Sequence, residues 1–393
     1  MTGNKKIVHF LSASDRINYG DLLFPIIFEF YSKNNNIKFY NYGIVKSDLS
    51  HFGAAPTKSY RMFQKNVRKY GGNIIVGGGE VLFVDWGTLY AFINFNYSKL
   101  LYWYRYSKFE KRYNLTRFLL SNGKVFIPFA PNKSELSTKK EIKIFYNAVG
   151  GTFLNSRLKQ TYKFKESLLS ADYISVRDNR VKKSLSEHNI DSIVSPDSAI
   201  FISKIFSKEI LKDKISFSPI KFKDDYIFLQ IGKPYIPKDI VLFSKDLMKI
   251  CAELNCKVIL CPIGLAPRHE DDVFLRKLAK ESYLFEFVMP NSLFDIMFLI
   301  ANSKMFLGTS LHGLITAQSF EVPFIPLDNR VNKVEEYCKT WTYKNIDSCL
   351  PYTDLSKVVK IYKNWDFQSA HAEVVKQINL VTLNFQQIFK NLV

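Results

Sequence analysis

The second half of the chain alternates short apolar runs with longer segments in which apolar residues recur at helical spacing. Strands separated by helices of about 10 to 15 residues predict a parallel sheet with right-handed crossovers. The predicted strands are Tyr226–Ile231, Lys257–Pro262, Leu284–Val288, Met305–Leu307 and Phe324–Leu327, and the predicted helices are Ile240–Leu254, Asp271–Glu281, Leu293–Ala301 and Leu311–Phe320.

The first half begins with the same kind of pattern. Lys5–Leu11 predicts a strand, Ser14–Asp21 a polar loop, and Leu22–Tyr31 an apolar helix, which together form the start of a Rossmann-like unit. The further predicted elements are strands at Asn36–Val45, before Gly77, and at Lys124–Phe129, Ile144–Val149, Tyr173–Val176 and Ser192–Val194, with helices at Phe63–Tyr70 and Asn179–His188. We therefore predict an α/β protein with two Rossmann-like domains that face each other across a cleft.

Two segments do not follow the alternation. Residues 201–225 are rich in lysine and serine with weak periodicity, which predicts an interdomain linker, whereas 366–392 has the spacing of amphipathic helix. The predicted domains are 1–205, which is the predicted acceptor side, and 206–365, which carries the motif around His312. A C-terminal helical segment, 366–393, is expected to pack back on the first domain.

Length and composition agree with two domains and add a strong positive charge. The 393 residues are 47% hydrophobic and contain 55 Lys and Arg against 36 Asp and Glu, a formal net charge of +19. Such a charge attracts anions of several kinds, but no zinc-finger, RNP-type or basic-zipper pattern is present, so nucleic acid is the least favoured partner.

The chain has no apolar run near the roughly 18 to 20 residues of a spanning helix, and its first residues lack a signal-peptide core. We expect a cytoplasmic protein, and peripheral contact with the inner face of the membrane stays open. The five cysteines lack the paired spacing of a zinc site and predict buried free thiols, with no metal.

Aromatic and basic residues interleave in Phe95–Leu120, which predicts a helix. Tyr and Trp suit the headgroup level of a bilayer, while Lys and Arg meet phosphates, so this helix suits a membrane interface or a lipid-linked diphosphate. The alternative is an aromatic face in the core with solvated basic residues.

The segment Lys304–Asp328 is the best candidate for chemistry. It predicts a strand, a tight turn, a helix and another strand, with His312 at the turn, and such a junction faces the ligand crevice of an open α/β sheet. Gly77, Gly78 and Gly79 follow another strand, where they either cradle a phosphate or permit a tight turn. Neither motif matches a dinucleotide or Walker loop.

Five motifs in this order resemble the bacterial polysaccharide pyruvyltransferase family and cover most of the chain. They are NYGD at Asn18–Asp21, the glycines at 77–79, YISVRD at Tyr173–Asp178, SPDSA at Ser195–Ala199, and GTSLHG at Gly308–Gly313 followed by Lys333. The resemblance implies a GT-B-like arrangement and transfer of pyruvate from phosphoenolpyruvate to a sugar as a ketal. Phosphoenolpyruvate is then a donor substrate, and no cofactor is expected.

The family pattern has an arginine where this chain has Ser310, which removes one cation from the expected donor site and leaves the donor's identity open. The resemblance implies a catalytic role for His312, as acid or base, and donor-binding roles for Arg177, Ser310 and Gly313. Arg177 pairing with Asp178 is the alternative, and a structural role is the alternative for His312.

For the other candidate residues, a structural role is likewise the alternative to a functional one. Lys333, with Arg330 as its substitute, adds a cation for the phosphate or is simply solvated, and Asp21 takes a hydroxyl proton or caps the helix beginning at Leu22. Asn18 and the glycines at 77–79 are candidates for phosphate or sugar contacts. The sequence predicts hinge or packing roles for Asp197 and Ser198, and an exposed charge at a helix start for His269.

The leading hypothesis is a pyruvyltransferase of capsule, lipopolysaccharide or exopolysaccharide biosynthesis, and a lipid-diphosphate-linked sugar is its hypothetical glycan acceptor. A GT-B-type glycosyltransferase that uses a nucleotide sugar fits the same architecture and the missing arginine. A non-catalytic scaffold of glycan assembly is the third hypothesis.

Overall fold

The computed structural model describes residues 5–33, 35–82, 84–136, 138–222, 224–343 and 346–393, without the side chains of residues 160 and 221. Its strands form two parallel sheets. The first has the order β2-β1-β3-β4-β5-β6 and the second the order β11-β10-β7-β8-β9. The strands are β1 Lys6–Leu11, β2 Ile37–Tyr42, β3 Gly72–Gly77, β4 Ile142–Val149, β5 Tyr173–Val176, β6 Ile193–Val194, β7 Tyr226–Gln230, β8 Lys257–Leu260, β9 Phe285–Phe287, β10 Met305–Gly308 and β11 Phe324–Pro326.

Helices connect the strands and cover the sheets, as parallel pairing requires. They are α1 Tyr19–Lys33, α2 Tyr60–Tyr70, α3 Trp86–Ala91, α4 Phe95–Tyr102, α5 Tyr104–Tyr113, α6 Leu115–Ser121, α7 Leu154–Gln160, α8 Tyr162–Leu169, α9 Asn179–Ser186, α10 Ile202–Ile205, α11 Lys208–Lys212, α12 Ile240–Leu254, α13 Asp271–Leu278, α14 Leu293–Ala301, α15 Leu311–Ser319, α16 Asn332–Trp341, α17 Val358–Lys363 and α18 Phe367–Lys390. The predicted fold, two Rossmann-like domains, is confirmed.

The two domains share one apolar core. Side chains of α1 in the first domain and of α14 and α15 in the second belong to the same buried cluster. Inside it, the Tyr19 hydroxyl lies 2.8 Å from the Thr316 hydroxyl, and burial raises the pKa of Tyr19. The start of α1 also contacts the second domain directly, because the Tyr19 N–H donates to the Ile263 carbonyl at 3.3 Å. The cleft between the domains therefore has a fixed floor.

The last helix, α18, packs on the first domain. The ring of Phe385 stacks on Tyr31 with centroids 4.2 Å apart, and the Asn384 amide donates to Asn147 at 2.7 Å. The chain end follows, since the Lys6 ammonium donates to the Leu392 carbonyl at 2.6 Å. α18 thus returns the chain from the second domain to the first sheet.

Two predictions about local structure are wrong. Lys124–Phe129 is not a strand, because β3 pairs directly with β4 and leaves no position between them. Phe95–Leu120 is not one helix, because the chain turns at Trp103, which is extended, and at Asn114, which is left-handed. The predicted linker, residues 201–225, follows the last strand of the first sheet and precedes the first strand of the second, and it contains α10 and α11, which pack on α1, α14 and α15.

All five cysteines are buried free thiols, as predicted. Within the part of the chain that the structure describes, no helix has both the length and the apolarity to cross a membrane.

Candidate functional site

A cleft of about 390 Å³ lies between the domains, at the carboxyl ends of both parallel sheets. Its polar lining comes from the residues that directly follow the strands. Glu80 follows β3, Arg177 follows β5, and Thr309 to His312 follow β10. Because parallel strands end at the same edge, residues far apart in the sequence meet here.

His312 lies in the first turn of α15 and faces a buried carboxylate. Its Nε2 is 3.5 Å from Oδ2 of Asp197, which is fully buried and follows β6. Burial opposes the charge of Asp197, but His312 and Arg177 outweigh it and lower the pKa of this carboxyl. Asp197 is therefore an anion placed to orient the imidazole and to balance positive charge on it.

Gly20 makes room for the His312 ring. A Cβ at this position, in the first turn of α1, would lie 1.9 Å from Nδ1 of His312. The ring of Phe24, one turn later on α1, meets the imidazole edge-on at a centroid distance of 5.5 Å. The histidine of one domain is thus held against the first helix of the other.

Arg177 lies at the floor of the cleft and is 1% exposed. Its guanidinium pairs with Glu80, and its Nη1 lies 3.7 Å from Oδ2 of Asp197. Asp178 is a further partner, with 3.9 Å between Nε and Oδ2. Burial disfavours the charge, yet the carboxylates raise the pKa of Arg177 and so keep it cationic. The sequence suggested two alternatives for Arg177, a pair with Asp178 and a place at the ligand cleft. The structure contains both.

Arg16 is a cation of the cleft that the sequence analysis missed. Its Nη2 donates to Oδ2 of Asp21 at 3.0 Å, and its guanidinium stacks over Phe92. The Nε and Nη1 atoms are buried without a hydrogen-bond partner, although Nη1 lies 3.9 Å from a carboxylate oxygen of Asp15. Donors in this state are suited to an incoming anion.

Asp21 does not cap a helix, because α1 already begins at Tyr19. The capping interpretation is therefore wrong, and the Asp21 side chain instead lines the cleft beside Arg16.

Lys333 and Arg330 complete the basic lining. Lys333 is partly buried in the first turn of α16, and burial, together with Arg177, lowers the pKa of its ammonium. Arg330 is half exposed and holds Asp328 with two of its nitrogens. Lys333 is thus not simply solvated.

Asp271 and His269 form the wall of the second domain. Oδ2 of Asp271 accepts from the Gln230 amide at 2.8 Å and from the Gly264 N–H at 2.9 Å, while burial raises the pKa of Asp271 to about 6. Burial also lowers the pKa of His269 to about 3, helped by Arg16. The predicted exposed charge at His269 is wrong, because the side chain packs beside Phe92 in the cleft.

The remaining candidates lie in or around the cleft. Asn18 lines it and bridges to Gly264 of the second domain, and the Ser310 hydroxyl caps α15 by accepting from the Gly313 N–H at 3.2 Å. The glycines at 77–79 do not line the cleft. A Cβ at Gly77 would collide with Phe10 and one at Gly78 with Phe24, so this turn is required by close packing.

Sequence reasoning missed Gly20, Glu80 and Arg16 as site residues and assigned Asp197 to packing. The available signal was their place after predicted strands, in the loops that contain the Asn18–Asp21 and Gly77–Gly79 motifs. The pairing of Arg177 with Asp178 could be suggested from the sequence, but the approach of Glu80 and Asp197 to the same guanidinium could not, because these two residues follow other strands, β3 and β6.

Comparison with known proteins agrees with the fold. A family model described as polysaccharide pyruvyl transferase matches residues 18–330. No curated protein matches the chain significantly.

Solved structures resemble the whole chain at low identity. UDP-GlcNAc 2-epimerase from Neisseria meningitidis bound to UDP-GlcNAc has a TM-score of 0.53 and 11% identity, covering 98% of this chain and 99% of that one. A glycosyltransferase from Rickettsia africae ESF-5 has a TM-score of 0.54 and 13% identity, covering 98% of each chain. The S. aureus MnaA–UDP structure has a TM-score of 0.53 and 12% identity, covering 94% and 90%. At this identity the likeness establishes the GT-B-like fold and nothing more.

Proposed function

Because the chain belongs to the polysaccharide pyruvyl transferase family, we propose that it transfers pyruvate from phosphoenolpyruvate to a sugar of a cell-surface glycan precursor as a ketal. The observation that carries this proposal is the His312–Asp197 pair in a cleft lined by Arg16, Arg177 and Lys333. A proton donor among cations is what an enolpyruvate donor with a carboxylate and a phosphate requires.

The reaction forms two C–O bonds at one carbon, the first by addition and the second by substitution. A proton adds to the methylene carbon of phosphoenolpyruvate, and a sugar hydroxyl attacks the neighbouring carbon as it loses its own proton. A second hydroxyl of the sugar then displaces phosphate from that carbon, and its proton leaves with the phosphate. The products are the cyclic ketal and inorganic phosphate, and no redox step or cofactor is involved.

His312 is the proposed proton carrier for these steps. Its ring borders the cleft, and the carboxylate of Asp197, 3.5 Å from Nε2, would orient the imidazole and balance positive charge on it. Asp21 lines the cleft on the opposite domain and is the proposed acceptor of the hydroxyl proton or of a sugar hydrogen bond. Acid and base would then come from different domains.

The donor's anionic groups would bind to Arg16 and Lys333. Arg16 has two buried nitrogens without hydrogen-bond partners, and burial lowers the pKa of the Lys333 ammonium, so an added anion would stabilise its charged form. We assign Arg177 a supporting role, because carboxylates already surround its guanidinium. Arg16 would thus supply the charge that the family places at position 310.

The acceptor would be a sugar of a capsule, lipopolysaccharide or exopolysaccharide precursor, on the cytoplasmic side of the membrane. The cleft is open enough for a sugar ring and draws its lining from both domains. A lipid-diphosphate carrier for this sugar agrees with the formal charge of +19.

The test is to incubate the full chain with phosphoenolpyruvate and an extract of glycan precursors and to measure phosphate release and ketal formation. His312→Gln and Asp197→Asn should each reduce turnover by about 100-fold or more, since general acid–base catalysis contributes about 10² to 10⁴. Lys245→Gln, on the surface of α12, is the control.

Unchanged turnover in His312→Gln would contradict the assignment of the proton carrier. If no acceptor supports phosphate release, and a uridine or cytidine diphosphate sugar raises the melting temperature instead, the protein is a nucleotide-sugar glycosyltransferase. If substitutions in the cleft reduce neither pyruvyl transfer nor the response to a nucleotide sugar, a non-catalytic scaffold is favoured.

A further inference from the structure

The helices α4 and α5 expose aromatic side chains at the turn between them. Tyr102, Trp103 and Tyr104 are consecutive and are 69%, 73% and 70% exposed. Phe109 and Tyr113, further along α5, are also exposed, with ring centroids 4.7 Å apart. Large apolar side chains that are exposed close together on a soluble surface mark an interaction site.

Cations surround these rings. The exposed basic residues of the two helices are Lys99, Arg105, Lys108, Lys111 and Arg112. The Lys108 ammonium lies 4.5 Å from the centroid of the Tyr104 ring. The one acidic residue between positions 95 and 113, Glu110, is buried and accepts from the Thr116 N–H. The surface formed by these exposed rings and cations, which we call the aromatic–basic surface, therefore carries five positive charges and no exposed negative one.

This surface adjoins the cleft. The guanidinium of Arg268 lies 4.6 Å from the centroid of the Tyr102 ring, and its Nε donates to the Ser98 hydroxyl at 3.2 Å. The next residue, His269, lines the cleft, as does Phe92, which is two residues before the cap of α4 at Asn94. The helices thus connect the cleft wall of the first domain to the second domain.

We propose that the aromatic–basic surface docks the protein on an anionic lipid bilayer. Tyr and Trp side chains partition to the headgroup level, and each Lys or Arg near an anionic surface strengthens binding roughly fivefold. A second copy of the chain is the poorer fit, because two surfaces with five cations each would repel. Docking at this position brings the cleft to the membrane surface, where a lipid-linked acceptor is within reach, and this consequence alone rests on the proposed function.

The first test measures sedimentation of the full chain with vesicles of phosphatidylglycerol and phosphatidylcholine, and with vesicles of phosphatidylcholine alone. Binding should require phosphatidylglycerol. Arg105→Gln/Lys108→Gln/Lys111→Gln should weaken the partition coefficient by about 100-fold, from three cations at roughly fivefold each. The matched control is Lys245→Gln/Lys249→Gln/Lys257→Gln, which removes three exposed cations of the second domain.

The second test uses the tryptophan fluorescence of the chain. Trp86, Trp341 and Trp365 are buried, so Trp103 is the tryptophan that lipid can reach. Anionic vesicles should shift its emission to shorter wavelength, and brominated lipid should quench it. Trp103→Ser should remove both signals and weaken binding, whereas Tyr283→Ser, at a 93% exposed position of the second domain, should change neither.

Three results would overturn the proposal. They are equal binding to both kinds of vesicle, an unaltered partition coefficient in the triple variant, and no quenching of Trp103. Loss of a dimer in Trp103→Ser without loss of lipid binding would assign the surface to self-association. Binding is measured without substrates, so its failure leaves the proposed pyruvyl transfer untouched, and failure of turnover leaves the lipid test valid.

Discussion

The imidazole of His312 occupies space that only a glycine at position 20 leaves open. A methyl group there would lie 1.9 Å from Nδ1, so Gly20→Ala must displace the ring from Asp197. We expect turnover to fall by about 100-fold, because a displacement of about 1 Å at a reacting group can have that effect. The measurement is phosphate release from phosphoenolpyruvate, with the melting temperature recorded beside it.

A matched control for this substitution is Gly87→Ala in helix α3. Its Cβ would lie 3.2 Å from the nearest atom, on the Glu110 side chain, and outside the cleft. Activity should be retained there. Full activity in Gly20→Ala would show that His312 does not need its present position.

Asp271 gives the protein a pH-dependent stability of predictable sign. Its pKa is raised from 3.8 to about 6 by burial, so the unfolded state releases the proton first as pH rises. The contribution of this group to folding is present below about pH 4 and is lost as pH rises through about 6. The loss between about pH 4.5 and about pH 7 is roughly 2 kcal/mol.

Denaturant unfolding of the wild type and of Asp271→Asn at those two pH values isolates this group, because the other carboxyls are common to both proteins. The free energy of unfolding of the wild type should fall by about 2 kcal/mol more than that of the variant. A parallel pH dependence in the two proteins would contradict the prediction.

Among the ionisable residues, the sequence predicted single positions but not their partners in space. His312 could be identified because one motif contains it and the strand-to-helix junction places it. Its partner Asp197 could not, because the 3.5 Å contact joins elements of two domains. Likewise, the acidic neighbours of His269 in the sequence predicted a surface charge, and only the fold shows that its ring packs beside Phe92 in the cleft.

At the scale of the element, helix α15 depends on its cap. Ser310 accepts from the Gly313 N–H, and this satisfies one of the free donors of the first turn. Ser310→Ala should lower the free energy of unfolding by about 1 kcal/mol, and Ser310→Thr should retain most of it. Ser186→Ala, at an exposed position in the last turn of α9, is the control and should change it by less than about 0.5 kcal/mol. Equal effects of Ala and Thr at position 310 would exclude capping.

The cap also bears on the difference between this chain and the motif that it resembles, which has an arginine at position 310. An arginine side chain there would add a cation but could not cap α15 as Ser310 does. In this chain Arg16, from the first domain, lines the same cleft as Ser310. A comparison of motifs cannot detect such a cation, because Arg16 lies far from position 310 in the sequence.

Elements of the second domain could be predicted because each strand and helix has its own periodicity. Phe95–Leu120 could not, because its composition favours helix throughout and the interruptions depend on single residues. Asn114 adopts φ 49° at the junction of α5 and α6. Asparagine tolerates this left-handed conformation, but its presence in a sequence does not predict it. Tertiary packing decides such breaks.

At the scale of the molecule, the two parallel sheets followed from the alternation of strands and helices, but the joint between the domains did not. Tyr19, Thr316 and Phe385 have the same buried aromatic or hydroxyl character as residues inside either domain. Nothing in the periodicity of α1 or α15 shows that they belong to one core. The closed floor of the cleft is therefore a property that only the assembled fold reveals.

Helix α18 packs on the first domain, and Phe385 is one of its buried apolar side chains. The side chain is 1% exposed and stacks on Tyr31, while Gln377 on the same helix hydrogen-bonds to Tyr337 of α16. Phe385→Ala should lower the free energy of unfolding by about 3 to 5 kcal/mol, through lost burial and the cavity that remains. Because the two domains share one apolar core, we expect a single cooperative unfolding transition in the wild type and in Phe385→Ala.

The control for this substitution lies on the same helix. Phe367 is half exposed at the start of α18, and Phe367→Ala should change the free energy of unfolding by less than about 1 kcal/mol. Two separate transitions in Phe385→Ala, or equal effects of the two substitutions, would mean that the domains fold independently of α18. The cleft would then be free to open, and the fixed contact between Gly20 and His312 would be one state among several.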